Sequence, residues 1–281
     1  MKKIRRILTI QSIRLYLNST ALYNKEKAGE SALYTFCTPR SGWLVEKDFN
    51  FLKTASHEHD LMLRDINIRC YHWKGEGPTV LLAHGWESKA ARWKKLIKKL
   101  ISKKFNVVAL DAPAHGQSGS TYFYAPLYAE MIAQVANQYQ PSFIVGHSIG
   151  GFASTYYAAL HRLPSLQRMV IMGAPAELEH SIQIYQQMLG LSDAVMEGME
   201  RVFVKKFGHD FKYYSGPTLV QNMDTPVLII HDQDDAAVPY AAAEAYAKHW
   251  PNNQLITTKD AGHALNNEEC LQHVIRYLTT L

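Results

Sequence analysis

Cysteine is scarce: Cys37, Cys70 and Cys270 are all that 281 residues contain. An odd number at irregular spacing suggests neither a disulfide framework nor a zinc site, and it fits a reducing, cytoplasmic setting. No run of about 18 apolar residues occurs, so no membrane span is expected. The basic start, Met1 to Arg6, is followed by a partly apolar stretch that Thr9, Gln11, Ser12 and Arg14 interrupt, with no small-x-small cleavage site after it. That argues against a signal peptide and leaves a helix packed on the domain, a loosely ordered arm or a weakly attached membrane-surface helix. Internal repeats and low-complexity tracts are absent. His57-Glu58-His59-Asp60 has metal-ligating residue types but no further ligands at a plausible spacing, so neither a metal nor a cofactor is expected.

What is present is a chain 47 % hydrophobic, ample for a large core, at a length common for one α/β domain. The formal charge of +5 is concentrated in Lys2, Lys3, Arg5 and Arg6 and again between Lys89 and Lys104. The second cluster reads as an amphipathic helix: Trp93, Leu96, Ile97, Leu100 and Ile101 form the buried stripe, and Lys94, Lys95, Lys98 and Lys99 the wet face. With no aromatic interleaving or binding motif beside it, it is read as a solvated face, and no nucleic-acid partner is expected. Oligomeric state is not legible.

Residues 1–50 read as a helical arm, broken at Thr38-Pro39-Arg40-Ser41-Gly42. From 51 to 281 the pattern is that of one domain. A β-ribbon over 60–73 leads to the turn Lys74-Gly75-Glu76-Gly77-Pro78. Thr79–Ala83 is a short continuous apolar run, as expected of a strand buried on both faces. Strand and helix then alternate through 105–110, 124–139, the stretch 143–151 and 169–172. Such alternation implies a mostly parallel sheet with helices on both faces and chemistry at the strands' carboxyl ends. Residues 176–221 interrupt it with a helical insertion rich in Met, Tyr and Phe, read as a small cap with its own core. Met188, Met199 and Phe203 are candidates for lining an apolar pocket. The sheet pattern resumes at 226–230, a helix follows over 241–250, and the last strand, 254–258, ends in Asp260-Ala261-Gly262-His263.

The sharpest signal is Phe143-Ile144-Val145-Gly146-His147-Ser148-Ile149-Gly150-Gly151. A β-prone run ends in Gly-x-Ser-x-Gly and a helical pattern starts at once. A turn that tight forces the serine into a strained conformation and needs glycine on either side, where a side chain would collide with backbone. It also leaves the Ile149 N–H at a helix N-terminus, where developing negative charge is stabilised. The competing reading is a Gly-rich connection whose serine merely caps the helix. A serine hydroxyl needs a base within reach and an acid to orient that base. Strand ends supply Ser148, an aspartate among 232–235, and His263, in that order.

These residues resemble the α/β-hydrolase fold family, on His84-Gly85-Trp86, Asp111–Gly119, Gly146–Gly151, His231–Pro239 and Gly262-His263 together. The resemblance implies Ser148 as nucleophile and His263 as general base. The acid stands at the fifth position of a His-Gly-x-x-Asp stretch, here His231-Asp232-Gln233-Asp234-Asp235. That points to Asp235, with Asp232 (where glycine is usual) and Asp234 as the other choices. It implies an oxyanion hole from the backbone N–H groups of Trp86 and Ile149. Trp86 and His147 are candidates for contacting substrate, and a loop-fixing role is expected for His115. The implied activity is hydrolysis of carboxylic esters of small to medium apolar acyl groups through an acyl-serine. Thioesterase, carbon–carbon bond hydrolase, perhydrolase and a non-catalytic ligand-binding protein of the same fold are the alternatives.

Overall fold

The computed structural model describes residues 2–161 and 163–280; the side chains of residues 2–6, and so the basic cluster Lys2, Lys3, Arg5 and Arg6, lie outside what is described. Eight strands are formed: β1 (His57–Leu63), β2 (Ile66–Trp73), β3 (Thr79–Ala83), β4 (Asn106–Leu110), β5 (Phe143–His147), β6 (Arg168–Met172), β7 (Val227–Asp232) and β8 (Asn253–Thr258). The helices are α1 (Lys2–Ala21), α2 (Lys25–Cys37), α3 (Glu46–Leu52), α4 (Lys94–Ser102), α5 (Ala125–Tyr139), α6 (Ile149–Leu160), α7 (Leu178–Leu189), α8 (Asp193–Phe207), α9 (Gly216–Val220), α10 (Ala241–His249) and α11 (Glu268–Thr279). Two compact units result. One comprises residues 39–176 and 216–281, the other residues 1–38 and 177–215. The sequence reading had set 1–50 apart as an arm and 176–221 as an insertion.

The larger unit is one sheet in the order β1-β2-β4-β3-β5-β6-β7-β8. β1 and β2 form a hairpin, β2 meets β4 antiparallel, and every pair from β4 to β8 is parallel. Alternation along each strand divides the side chains between two faces. Val80 and Leu82 join Val107, Ala109, Val145 and Leu228 under α4 and α11, while Leu81 and Ala83 join Val108, Leu110 and Ile144 under α5 and α6. On α4 the expected stripe is buried at Leu96, Ile97 and Leu100, but Ile101 is exposed. Towards the far edge, Met169, Ile171, Val227 and Ile229 pack on Tyr246 of α10 and on Trp250 just after it. Because parallel strands end on the same side, the loops after β3, β4, β5, β6, β7 and β8 share one rim.

The smaller unit brings α1 and α2 together with α7 and α8. Its tightest crossing is between α2 and α8: a Cβ built on Gly29 would lie 2.1 Å from the Gly198 carbonyl carbon, and one on Gly198 would lie 1.9 Å from the Lys25 oxygen. Only glycine lets two backbones approach so closely. Tyr185 Oη donates to the Ala32 carbonyl, and Asn18 bridges the α7–α8 turn by donating to Gly190 O and accepting from Ser192 N. Among the described residues no helix is long and apolar enough to cross a membrane.

Candidate active site

Ser148 stands between β5 and α6 with φ 53° and ψ −129°, a backbone conformation unfavourable for a residue with a Cβ and worth on the order of 1–3 kcal/mol of local strain. Its neighbours explain how the turn is tolerated. A Cβ at Gly146 would sit 2.5 Å from the Gly151 Cα, and one at Gly150 would sit 2.3 Å from the His84 oxygen. Ser148 N donates to the Met172 carbonyl at 2.8 Å, anchoring the elbow to β6. α6 begins at the next residue, so the Ile149 N–H is one of the first-turn donors without an intrahelical acceptor.

His263 reaches this serine from the loop after β8. Its Nε2 lies 3.0 Å from Ser148 Oγ, and its Nδ1–H donates to Asp235 Oδ2 at 2.8 Å. The other Asp235 oxygen accepts from the N–H groups of Ala237 and Val238. Burial alone would raise the Asp235 pKa, but the hydrogen bonds from His263, Val238 and Ala237 outweigh it and hold the group below the ordinary carboxylate value. Of the three aspartates the sequence left open, Asp235 is the one hydrogen-bonded to the imidazole. Asp232 is fully buried and does something else. One oxygen accepts from Thr258 Oγ1 and Ala261 N, the other from Asp234 N. It thereby ties the loop bearing Asp235 to the loop bearing His263. Burial again pushes its pKa up, and these bonds bring it below the ordinary value.

The loop after β3 lies against the elbow: a Cβ on Gly85 would be 2.8 Å from Ser148 Cβ. Trp86 follows, and its position is held from behind. Glu87, at φ 49°, donates its N–H to His115 Nε2 at 2.9 Å, and His115 Nδ1–H donates to Pro113 O. This is the loop-fixing role expected of His115. His84 spans the same two loops, accepting from Ala112 N and donating to Gly85 O. Asp111, wholly buried, accepts from Ala90 N, Gln117 N and Tyr71 Oη; burial pushes its pKa up to about 6.

A family model described as the alpha/beta hydrolase family matches residues 80–272, from β3 into α11, and includes Ser148, Asp232, Asp235 and His263. The chain belongs to the alpha/beta hydrolase family. Relatives named hydrolase and esterase agree that such a chain is a hydrolytic enzyme. The uncharacterised hydrolase YugF of Bacillus subtilis is 23 % identical over 247 residues, 72 % of this chain and 90 % of its own length. The bifunctional esterase/perhydrolase DCH of Acinetobacter calcoaceticus is 22 % identical over 244 residues, 69 % of this chain and 88 % of its own. Among solved structures, an esterase from Exiguobacterium antarcticum has a TM-score of 0.64 at 14 % identity, covering 80 % of this chain and 100 % of its own; at that identity it speaks for the fold.

Other expected positions of this alpha/beta hydrolase have different duties. His147 is 5 % exposed rather than open to substrate. Its Nε2–H donates to the His263 carbonyl at 2.7 Å, linking the elbow to the loop that carries His263. Burial, then the nearby Arg92, hold its pKa well below the ordinary histidine value. Met199 and Phe203 are buried in the smaller unit, Phe203 against the rings of Phe207, Phe211 and Tyr214, so they serve that unit's own core. Met188 is half exposed on α7. Trp86 keeps 37 % of its surface open, with its ring edge-on to His115 and Phe123. Among the described residues no group of three or more His, Cys, Asp or Glu side chains is placed to hold a metal ion. Sequence reasoning missed the anchoring by Asp232. Its signal was an aspartate two residues before an N–H it can accept, the Asx-turn pattern.

Proposed function

We propose that this hydrolase cleaves carboxylic esters by acyl transfer to Ser148. The observation that carries the reading is the continuous relay Ser148 Oγ, His263, Asp235, at 3.0 and 2.8 Å. In the proposed reaction His263 Nε2 takes the Ser148 proton as Oγ attacks the ester carbon. Asp235 keeps the Nδ1 proton in place and stabilises the imidazolium. The oxyanion is met by the N–H groups of Ile149 and Trp86, each worth about 3 kcal/mol to the transition state. His263 then returns the proton to the leaving alcohol, and water repeats the sequence to release the acid. The half-open Trp86 ring offers an apolar wall beside Gly85 and favours apolar acyl groups of modest size. The three buried, unpaired cysteines suit a reducing cytoplasm.

The purified chain is expected to turn over short p-nitrophenyl acyl esters and to be labelled by a fluorophosphonate. Ser148→Ala or His263→Ala should each lower kcat by about 10⁴-fold or more. Absence of both turnover and labelling in the parent protein would overturn the proposal. The same acyl-serine can be attacked by peroxide, and one relative is named an esterase/perhydrolase, so a peracid assay belongs beside the ester assay.

A further inference from the structure

Helix α1 exposes large apolar side chains, among polar ones, on the side turned away from its own unit. Leu17 and Ala21 are buried against the unit, with Ile10 and Ile13 half-buried on the same side. Residues seven apart on a helix lie within about 20° of one another. Leu8 and Leu15 therefore stand one above the other on the opposite side, 57 % and 70 % exposed, and Leu22, in the turn that follows α1, is 80 % exposed. Tyr16 on the helix and Tyr23 in the same turn as Leu22 are exposed as well. The charge is as uneven as the burial. The first 25 residues contain Lys2, Lys3, Arg5, Arg6, Arg14 and Lys25 and no acidic residue, while the remaining chain carries a formal −1. This segment alone carries a formal +6, with no acidic residue in it to offset the cations.

We propose that α1 and the turn after it form a docking surface for an anionic lipid membrane, the helix lying flat in the headgroup layer with Leu8, Leu15 and Leu22 inserted. A helix of 20 residues is about 30 Å long, enough to hold several headgroups at once. Outward leucines, accompanied by tyrosines and cations, are the composition that partitions into a bilayer interface. Cations on the same helix add the attraction of an anionic leaflet, and neither contribution is strong alone. The other occupants fit less well. A second copy laid on this face brings the same unbalanced cations with it. Nucleic acid offers phosphates to the charges but nothing to the leucines.

The test is co-sedimentation of the full chain with vesicles of phosphatidylcholine alone or with roughly one-third phosphatidylserine, at low salt and at about 1 M salt. Binding is expected to the anionic vesicles at low salt, and to be weaker by about tenfold or more on neutral vesicles or at high salt. Two variants should each bind at least about tenfold more weakly: Leu8→Gln/Leu15→Gln/Leu22→Gln, and Lys2→Gln/Lys3→Gln/Arg5→Gln/Arg6→Gln. These positions are outward or terminal, so far-UV circular dichroism and the melting midpoint should not change. If the triple leucine variant does not fold, Leu15→Gln alone serves in its place. The proposal fails if the parent does not bind, if it binds neutral and anionic vesicles equally, or if the leucine variant binds like the parent. It also fails if the leucines are instead needed for a dimer seen without lipid. None of these readouts depends on ester hydrolysis.

Discussion

At the scale of single residues, the site separates carboxylates by what they touch. Asp235 and Asp232 are three positions apart, both buried, and both bring N–H donors to bear on a carboxylate. Only Asp235 meets His263; only Asp232 holds the peptide that carries it. Replacing each by asparagine should therefore give different phenotypes. Asp235→Asn removes the charge that keeps the imidazole proton in place, so kcat should fall by about 10⁴-fold with the melting midpoint little altered. Asp232→Asn turns one acceptor oxygen into an amide that faces N–H groups. It should cost about 1–3 kcal/mol of stability, lower kcat only about tenfold, and leave labelling of Ser148 detectable. Urea melts beside initial rates on one p-nitrophenyl ester distinguish the two; equal activity losses would contradict the division of labour. Much of this site was legible in advance. Ser148, His263 and the acidic stretch announce themselves because chemistry demands those residue types at strand ends. Which aspartate faces the imidazole was not legible from the residues alone, since three carboxylates within four positions differ only in where a loop points them. The duty of His147 was hidden for a similar reason: its partner is a backbone carbonyl 116 positions away.

At the scale of elements, the strands were the easiest to read and the first 50 residues the hardest, for one physical cause. A strand buried on both faces must be apolar throughout, so Thr79–Ala83 and Phe143–His147 stand out without help. Helix α2 of the arm packs on α8 through a close backbone approach that relies on what side chains lack. α2 meets α8 at Gly29 and Gly198, flanked on α2 by the small side chains of Ala28 and Ala32, and glycine ordinarily argues against helix. Nothing local told that residues 1–38 share a unit with 177–215, because the contact is made by backbone approach across more than 150 positions. The seam makes its own prediction. Gly198→Ala would improve helix propensity by up to about 1 kcal/mol, yet its Cβ would meet the Lys25 oxygen at 1.9 Å. The helices must separate, and overpacking of that kind costs about 1–3 kcal/mol or more. A lower melting midpoint, with faster proteolytic cleavage in residues 1–38 and 177–215, is the expected result. A midpoint equal to or above the parent's would contradict the close approach of α2 and α8.

At the scale of the whole molecule, the loops at the sheet's rim are held by histidines that must stay neutral, and this couples the site to stability. His84 and His115 use Nε2 to accept backbone N–H groups from Ala112 and Glu87, so protonating them breaks those bonds. Burial first, then neighbouring positive or histidine groups, hold His84 and His147 well below the ordinary histidine value; burial lowers His115 and His231 in the same direction. For such groups the unfolded chain binds protons that the folded chain refuses once pH drops below about 6.5, so stability falls as pH falls. His84 and His147 together set a slope of about 3 kcal/mol per pH unit below that point, and His115 and His231 add to it. Asp111 opposes them. Its folded pKa of about 6 lies above the unfolded value, so the folded state takes up its proton first and gains about half that slope as pH falls from 6 towards 4. Below about pH 4 the depressed carboxylates of Asp232 and Asp235 are protonated in turn, and their stabilisation is lost as well. The net expectation is a urea midpoint that is level above pH 7 and drops between pH 6.5 and 5, before any loss from the carboxylates begins. A midpoint that stays level down to pH 5 would mean that the buried histidines are not held neutral, and the hydrogen bonds assigned to the loops after β3 and β4 would have to be redrawn.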